Sequence, residues 1–169
     1  MTNRLILTLA IFLIVFAPLA ICQEFKVPEG YKFSSQQDYT RYEPDVIRCV
    51  AFLESAPMDH SERKSANAFL VQWLTGTSHV GVQVLPYVMD LVSENKDLLA
   101  VYLGGWSRLV LQSTTSPDAI DCHLAGVHSV LKAYQTCEGI DSDSALDELL
   151  ALDKEGKLRE WVAEKMEAK

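Results

Sequence analysis

The chain has 169 residues, 49% of them apolar, with 15 Lys plus Arg against 23 Asp plus Glu and a formal charge of −8. That apolar content excludes a disordered chain, and 6 Pro with 8 Gly exclude a collagen-like or low-complexity one. The acidic balance, without a basic cluster, excludes a nucleic-acid phosphate backbone as partner, because such binding needs several cations acting together.

Residues 1–22 read as an export signal: Arg4 gives a positive start, Leu5 to Ala17 is an apolar run interrupted only by Thr8, and Pro18 breaks it. Ala20-Ile21-Cys22 offers small residues at both positions needed for cleavage before Gln23. The same residues form an imperfect lipoprotein box around Cys22, in which Ile21 stands where Gly, Ala or Ser is wanted. Beyond Gln23 no second apolar run is long enough to span a bilayer, so the expectation is a periplasmic or secreted protein with no membrane span after cleavage.

Residues 23–42 hold Pro28, Gly30 and three Tyr without a sustained period, which predicts an irregular arm whose aromatics dock on the body. Residues 43–169 then read as one helical domain. Pro44 suits a first helical turn, and Val46, Cys49, Val50 and Leu53 repeat at helical spacing until Pro57. Asp59 and Glu62 have the form of a capping box ahead of the face Ala66, Phe69, Leu70 and Trp73, which Gly76 ends. Val80, Val82 and Val84 alternate with Gly81 and Gln83 as in a strand. With no other alternating segment to pair with, residues 79–85 are expected to be an extended connector.

Pro86 opens a helix with Val88, Leu91 and Val92, and Asn95 breaks it before a second stretch from Lys96 to Gln112. That stretch is apolar nearly all round, as for a helix surrounded by others, yet it carries Gly104 and Gly105, each costing about 1 kcal/mol in a helix interior. The space they leave serves either a close helix crossing or the floor of a ligand site. Ser116 and Pro117 open the next helix, with Ile120, Leu124, Val127, Leu131 and Tyr134 before Gly139. Two short helices follow, one capped at Ser144, the other with Leu158, Trp161 and Val162, separated by Gly156. The fold expected is all-α: a single compact bundle of six to seven short helices.

The motifs carry little chemistry. Cys122 and Cys137 lie on one predicted helix about 22 Å apart, too far for a disulfide, while Cys49 could join either. His60, His79, His123 and His128 lack metal-site spacing, so neither a metal nor a cofactor is expected. Ser61 to Lys64 and Ser129 to Lys132 each match Ser-x-x-Lys without the companion motifs of acyl-transfer enzymes. Asp141, Asp143, Asp147 and Glu148 lack the glycine and twelfth ligand of a calcium loop, and a helix start rich in acids accounts for them.

Phe69-Leu-Val-Gln-Trp-Leu-Thr-Gly-Thr77, Asn95-Lys-Asp-Leu-Leu99, Leu103-Gly-Gly-Trp106 and Leu152-Asp-Lys-Glu-Gly-Lys-Leu158 together resemble a group of short exported proteins of Bacteroidetes-type bacteria. The resemblance implies an envelope or secreted protein and transfers no activity. The expectation is therefore a non-catalytic binding module for another protein or an apolar small molecule, with Trp73, Thr77, Gly104, Gly105, Trp106 and Arg108 as candidate binding residues. The alternative is a small envelope hydrolase using Cys or Ser with a distant His.

Overall fold

A computed structural model describes residues 24–168, and within them the chain is all-helical, with no strand. The export signal expected at residues 1–22, with Cys22, lies outside the described residues. Eight helices run in order: α1 Gln36–Arg41, α2 Glu43–Leu53, α3 Arg63–Gly76, α4 Pro86–Leu91, α5 Leu98–Gln112, α6 Ala119–Thr136, α7 Ser144–Lys154 and α8 Leu158–Glu167. None is long and apolar enough to cross a membrane.

The eighth helix beyond the expected six to seven is α1, inside the segment expected to be irregular. Ser35 and Asp38 form a reciprocal capping box, each side chain satisfying the other's backbone N–H, and this starts one and a half turns without an apolar face. The rest of the arm is irregular, with a turn at Glu29 and Gly30, and its aromatics pack inward. Phe25 is buried with its ring 6.0 Å from that of Phe52 and 6.3 Å from that of Phe69.

Three expected helix starts move. The Asp59–Glu62 box does not form: the Glu62 N–H bonds the His60 ring, and α3 begins at Arg63. Arg63 is drawn inward instead, its guanidinium donating to the carbonyls of Leu53 and Ala56 at 3.0 and 2.8 Å, which satisfies the end of α2 with a cation. Asp118 rather than Ser116 caps α6, and Asp143 rather than Ser144 caps α7, because a carboxylate reaches two or three residues ahead to the first free N–H groups. Gly156, at φ +72°, makes the left-handed link between α7 and α8.

The centre of the bundle is α5, which packs along α6 and across α2 and α3, while α7 and α8 cover the far side of α6. Gly104 and Gly105 are spent on these crossings. A Cβ at Gly104 would meet Val50 at 2.8 Å, and one at Gly105 would stand 2.5 Å from the Ala125 carbonyl oxygen and 2.6 Å from Ser129 Cβ. The space that the two glycines open is filled by α2 and α6.

Candidate functional site

The six residues singled out in the sequence do not converge on a cleft. Trp73 is fully buried, its indole N–H donating to the Tyr39 carbonyl at 2.9 Å. Thr77 caps the end of α3 and accepts the His79 N–H on its hydroxyl. Gly104, Gly105 and Trp106 lie in the core, and Arg108 is held in an ion pair.

That ion pair belongs to a buried polar centre built around Glu54. Glu54, one residue beyond α2, is fully buried, and its carboxylate accepts from Arg108 at 2.7 Å, Lys132 at 2.7 Å and Ser129 at 2.6 Å. Its backbone carbonyl is also bonded by Thr136. Burial pushes the carboxyl up, but hydrogen bonds from Arg108, Lys132 and Ser129 outweigh burial and hold it below the ordinary carboxylate range. The second Ser-x-x-Lys match is thereby explained. Ser129 and Lys132, nearly one turn apart on α6, both address Glu54, and Ser129 is 1% exposed, out of reach of a substrate.

A second centre lies where α4, α5 and α6 meet. His123 is fully buried, with Nδ1 2.8 Å from the Tyr87 hydroxyl and 2.6 Å from the Tyr102 hydroxyl, and its ring stands edge-to-face with Trp106 at 4.8 Å. Gly126 makes this arrangement fit, since a Cβ there would come within 2.5 Å of the Tyr102 ring. Burial lowers the basicity of His123 and pushes the Tyr87 hydroxyl up to about 12, so the centre is neutral at pH 7. It joins three helices by uncharged hydrogen bonds. Its outer wall, Tyr87 against Trp161, lines a groove of about 300 Å³ with Asp90, Glu148, Leu149 and Lys165, and the Lys165 ammonium already lies 5.5 Å over the Trp161 ring.

Each histidine has a hydrogen-bond partner, and none of these partners is a Cys or Ser. His79 bonds Glu43, His128 bonds Asp153, His123 bonds two tyrosines, and His60 accepts a backbone N–H. Cys49 and Cys122 are buried free thiols, so the bridge considered for Cys49 is not made; its Sγ donates to the Ala66 carbonyl at 3.3 Å instead. Among the described residues no group of His, Cys, Asp or Glu could hold a metal ion.

One face of the surface differs from the rest. Between Lys64 and Asp90 no Asp, Glu, Lys or Arg occurs, and these residues form most of α3, the connector and the start of α4. Two open hollows flank the exposed side of α3, one lined by Val71, Leu74, Thr75, Val82 and Leu103, the other by Tyr31, Phe33, Tyr39, Gln72, Thr75 and Gly76. Neither lining holds a charge. The large apolar side chains left most exposed, Val71 at 45%, Val84 at 43% and Met89 at 51%, all come from this stretch.

The connector from Thr77 to Leu85 is non-helical, with a bend at Ser78 and His79. Val80 is buried and Val82 half-buried, while Gly81, Gln83 and Val84 are exposed, and no N–H or C=O from Val80 to Val84 makes a hydrogen bond within the described residues. The alternation noted in the sequence does not carry through to burial, since Val80 is buried and Val84 is exposed, and the segment forms no strand. Comparisons with protein-family models, curated proteins and solved structures each find no match for this chain.

Proposed function

We propose that this chain is an exported, periplasmic or secreted, non-catalytic helical module that docks onto protein through the uncharged face of α3 and its connector. The observation that carries the reading is the unbonded backbone from Val80 to Val84 within a stretch, residues 65–89, that has no Asp, Glu, Lys or Arg. Unbonded backbone groups can pair with another chain, as those of a sheet edge do, and exposed apolar side chains from the same stretch add the contact area that a docking surface needs. The resemblance to short exported proteins and the apolar run of residues 5–17 support export.

Of the two partner classes, protein fits this face better than an apolar small molecule. Small-molecule sites enclose most of their ligand, whereas these hollows of about 270 and 410 Å³ are open to solvent. The hydrolase alternative needs a nucleophile within reach of a base, and the histidines here bond carboxylates, tyrosines and a backbone N–H.

Placing a photo-cross-linking residue at Gln83 in the host cell, with Glu148 on the groove beside Trp161 as control, tests the reading. Intermolecular protein adducts at Gln83 and not at Glu148 are expected. Adducts at Glu148 alone, or at neither position, would overturn it.

A further inference from the structure

We propose that the groove between α4, α7 and α8 binds a small organic cation, an alkylammonium ion whose charged head takes the place of Lys165 over the Trp161 ring, beside the carboxylates of Asp90 and Glu148. The site goes beyond the docking face and does not depend on it, since the groove shares no lining residue with the two hollows beside α3.

The walls of the groove are aromatic and fixed. Tyr87 on α4 and Trp161 on α8 meet edge to face, with ring centroids 5.5 Å apart at 89°. Tyr87 is buried, and its hydroxyl stands 2.8 Å from His123 Nδ1, so the buried histidine centre holds this wall from behind. Trp161 is half-buried, and Leu149 adds apolar lining from α7. The groove is more enclosed than the hollows beside α3, and its volume of about 300 Å³ is at the low end of the range for small-molecule sites, which sets the size of the ligand.

The charges set its sign. Among the described residues, the Asp90 and Glu148 carboxylates have no ion-pair or hydrogen-bond partner, although both line the groove. Lys165 lines it too, yet its ammonium pairs with neither of them and lies 5.5 Å from the centroid of the Trp161 ring. The lysine marks the position a cation takes here, drawn by the negative face of the indole and by the carboxylates of the same groove. Lys165 is exposed, on a long stem one turn beyond Trp161, so it can turn out to water when another ammonium group arrives. The lining is then negative only. An anion would face both carboxylates, and a neutral apolar molecule would strip water from them without pairing them. A cation meets neither penalty, and the formal charge of −8 steers cations to the chain.

An NMR titration of the purified chain tests this with hexylamine, which is protonated at pH 7, beside hexanol and hexanoate as neutral and anionic probes with the same stem. Hexylamine should shift the Trp161 indole N–H and the amides of Tyr87, Asp90 and Glu148 saturably, and more tightly than the other two probes. Asp90→Asn combined with Glu148→Gln should weaken its binding roughly fivefold or more. Lys165→Ala, which removes the resident competitor, should tighten it roughly threefold. All three positions are exposed, so these variants should keep the helical content of the wild type, read by circular dichroism. Any of four results overturns the inference: no saturable shift, hexanol bound as tightly as hexylamine, shifts of equal size at Asp118 and Asp153 away from the groove, or binding that Lys165→Ala leaves unchanged or weakens. Protein adducts at Glu148 in the cross-linking experiment would also overturn it, by giving the groove to a basic side chain of another protein.

Discussion

Gly105 on α5 and Ser129 on α6 face each other with no room for a methyl group: a Cβ at Gly105 would stand 2.6 Å from that of Ser129. The same serine donates to the buried Glu54 carboxylate, so the crossing of α5 and α6 sets the geometry of the ion centre. Gly105→Ala should therefore destabilise the fold by about 1–3 kcal/mol, as overpacking does, despite the better helix propensity of alanine. Gly81→Ala, in open space, should leave stability unchanged within about 0.5 kcal/mol. Urea unfolding of the two variants checks the contrast.

Glu54 ties α2 to α5 and α6 through three side-chain donors. Glu54→Ala leaves Arg108, 26% exposed, and Lys132, 53% exposed, able to turn to water, so the loss should fall at or below about 3 kcal/mol, the lower end for breaking a buried pair. The carboxyl is held below its usual value of 4.5 in the folded state, so its contribution is complete above pH 4.5 and is lost as pH falls through the folded value. Glu54→Gln should accordingly flatten the decline of stability below pH 4.5, measured by chemical unfolding across that range.

His123 titrates in the other half of the acid range. Burial holds its folded pKa below 6.5, so the unfolded chain takes up the proton first, and the contribution of this group is complete above pH 6.5 and lost below it. The His123 ring signals in an NMR titration should stay those of neutral imidazole at pH 6.5. A half-protonated ring at that pH would contradict the account. Tyr87→Phe removes one of the two hydroxyls on Nδ1 and should cost about 1 kcal/mol, since Tyr102 remains.

The thiols should be silent. Cys49, pushed up to about 12 by burial, and Cys122, also raised by burial and by the carboxylates of Asp121 and Asp118, should resist alkylation in the folded protein. Both should react once urea unfolds the chain, with the modified peptides read by mass spectrometry. Fast labelling of Cys49 in the native state would mean that the α2–α3 contact opens far more often than its packing implies.

The helices were legible because their apolar residues recur at helical spacing and because Pro44, Pro86, Gly76 and Gly156 stand at their ends. The break at Asn95 and the non-helical connector after Gly76 were legible for similar reasons. Helix α1 was hidden because it buries no residue and is signalled only by Ser35 and Asp38, three positions apart. The glycine pair at 104 and 105 announced a close approach, but whether a helix or a ligand fills it depends on Ser129 and Val50, which lie far along the chain. Glu54 was invisible for the same reason: an acid at a helix end ordinarily faces water, and its three donors lie on α5 and α6. The proposed docking face depends on what is missing: the charges between Lys64 and Asp90 and a partner strand for Val80 to Val84 are both absent from the sequence, while the exposure of Val71, Val84 and Met89 shows only in three dimensions.

Native mass spectrometry of the protein recovered from its own host, wild type beside a Val71→Lys, Val84→Lys double variant, tests the docking face most directly. The account predicts a non-covalent protein complex in the wild type and a bare, folded monomer in the variant, because two ammonium groups would have to be desolvated in the contact. A wild type that is itself only a monomer, or a complex that persists unchanged in the double variant, would contradict it.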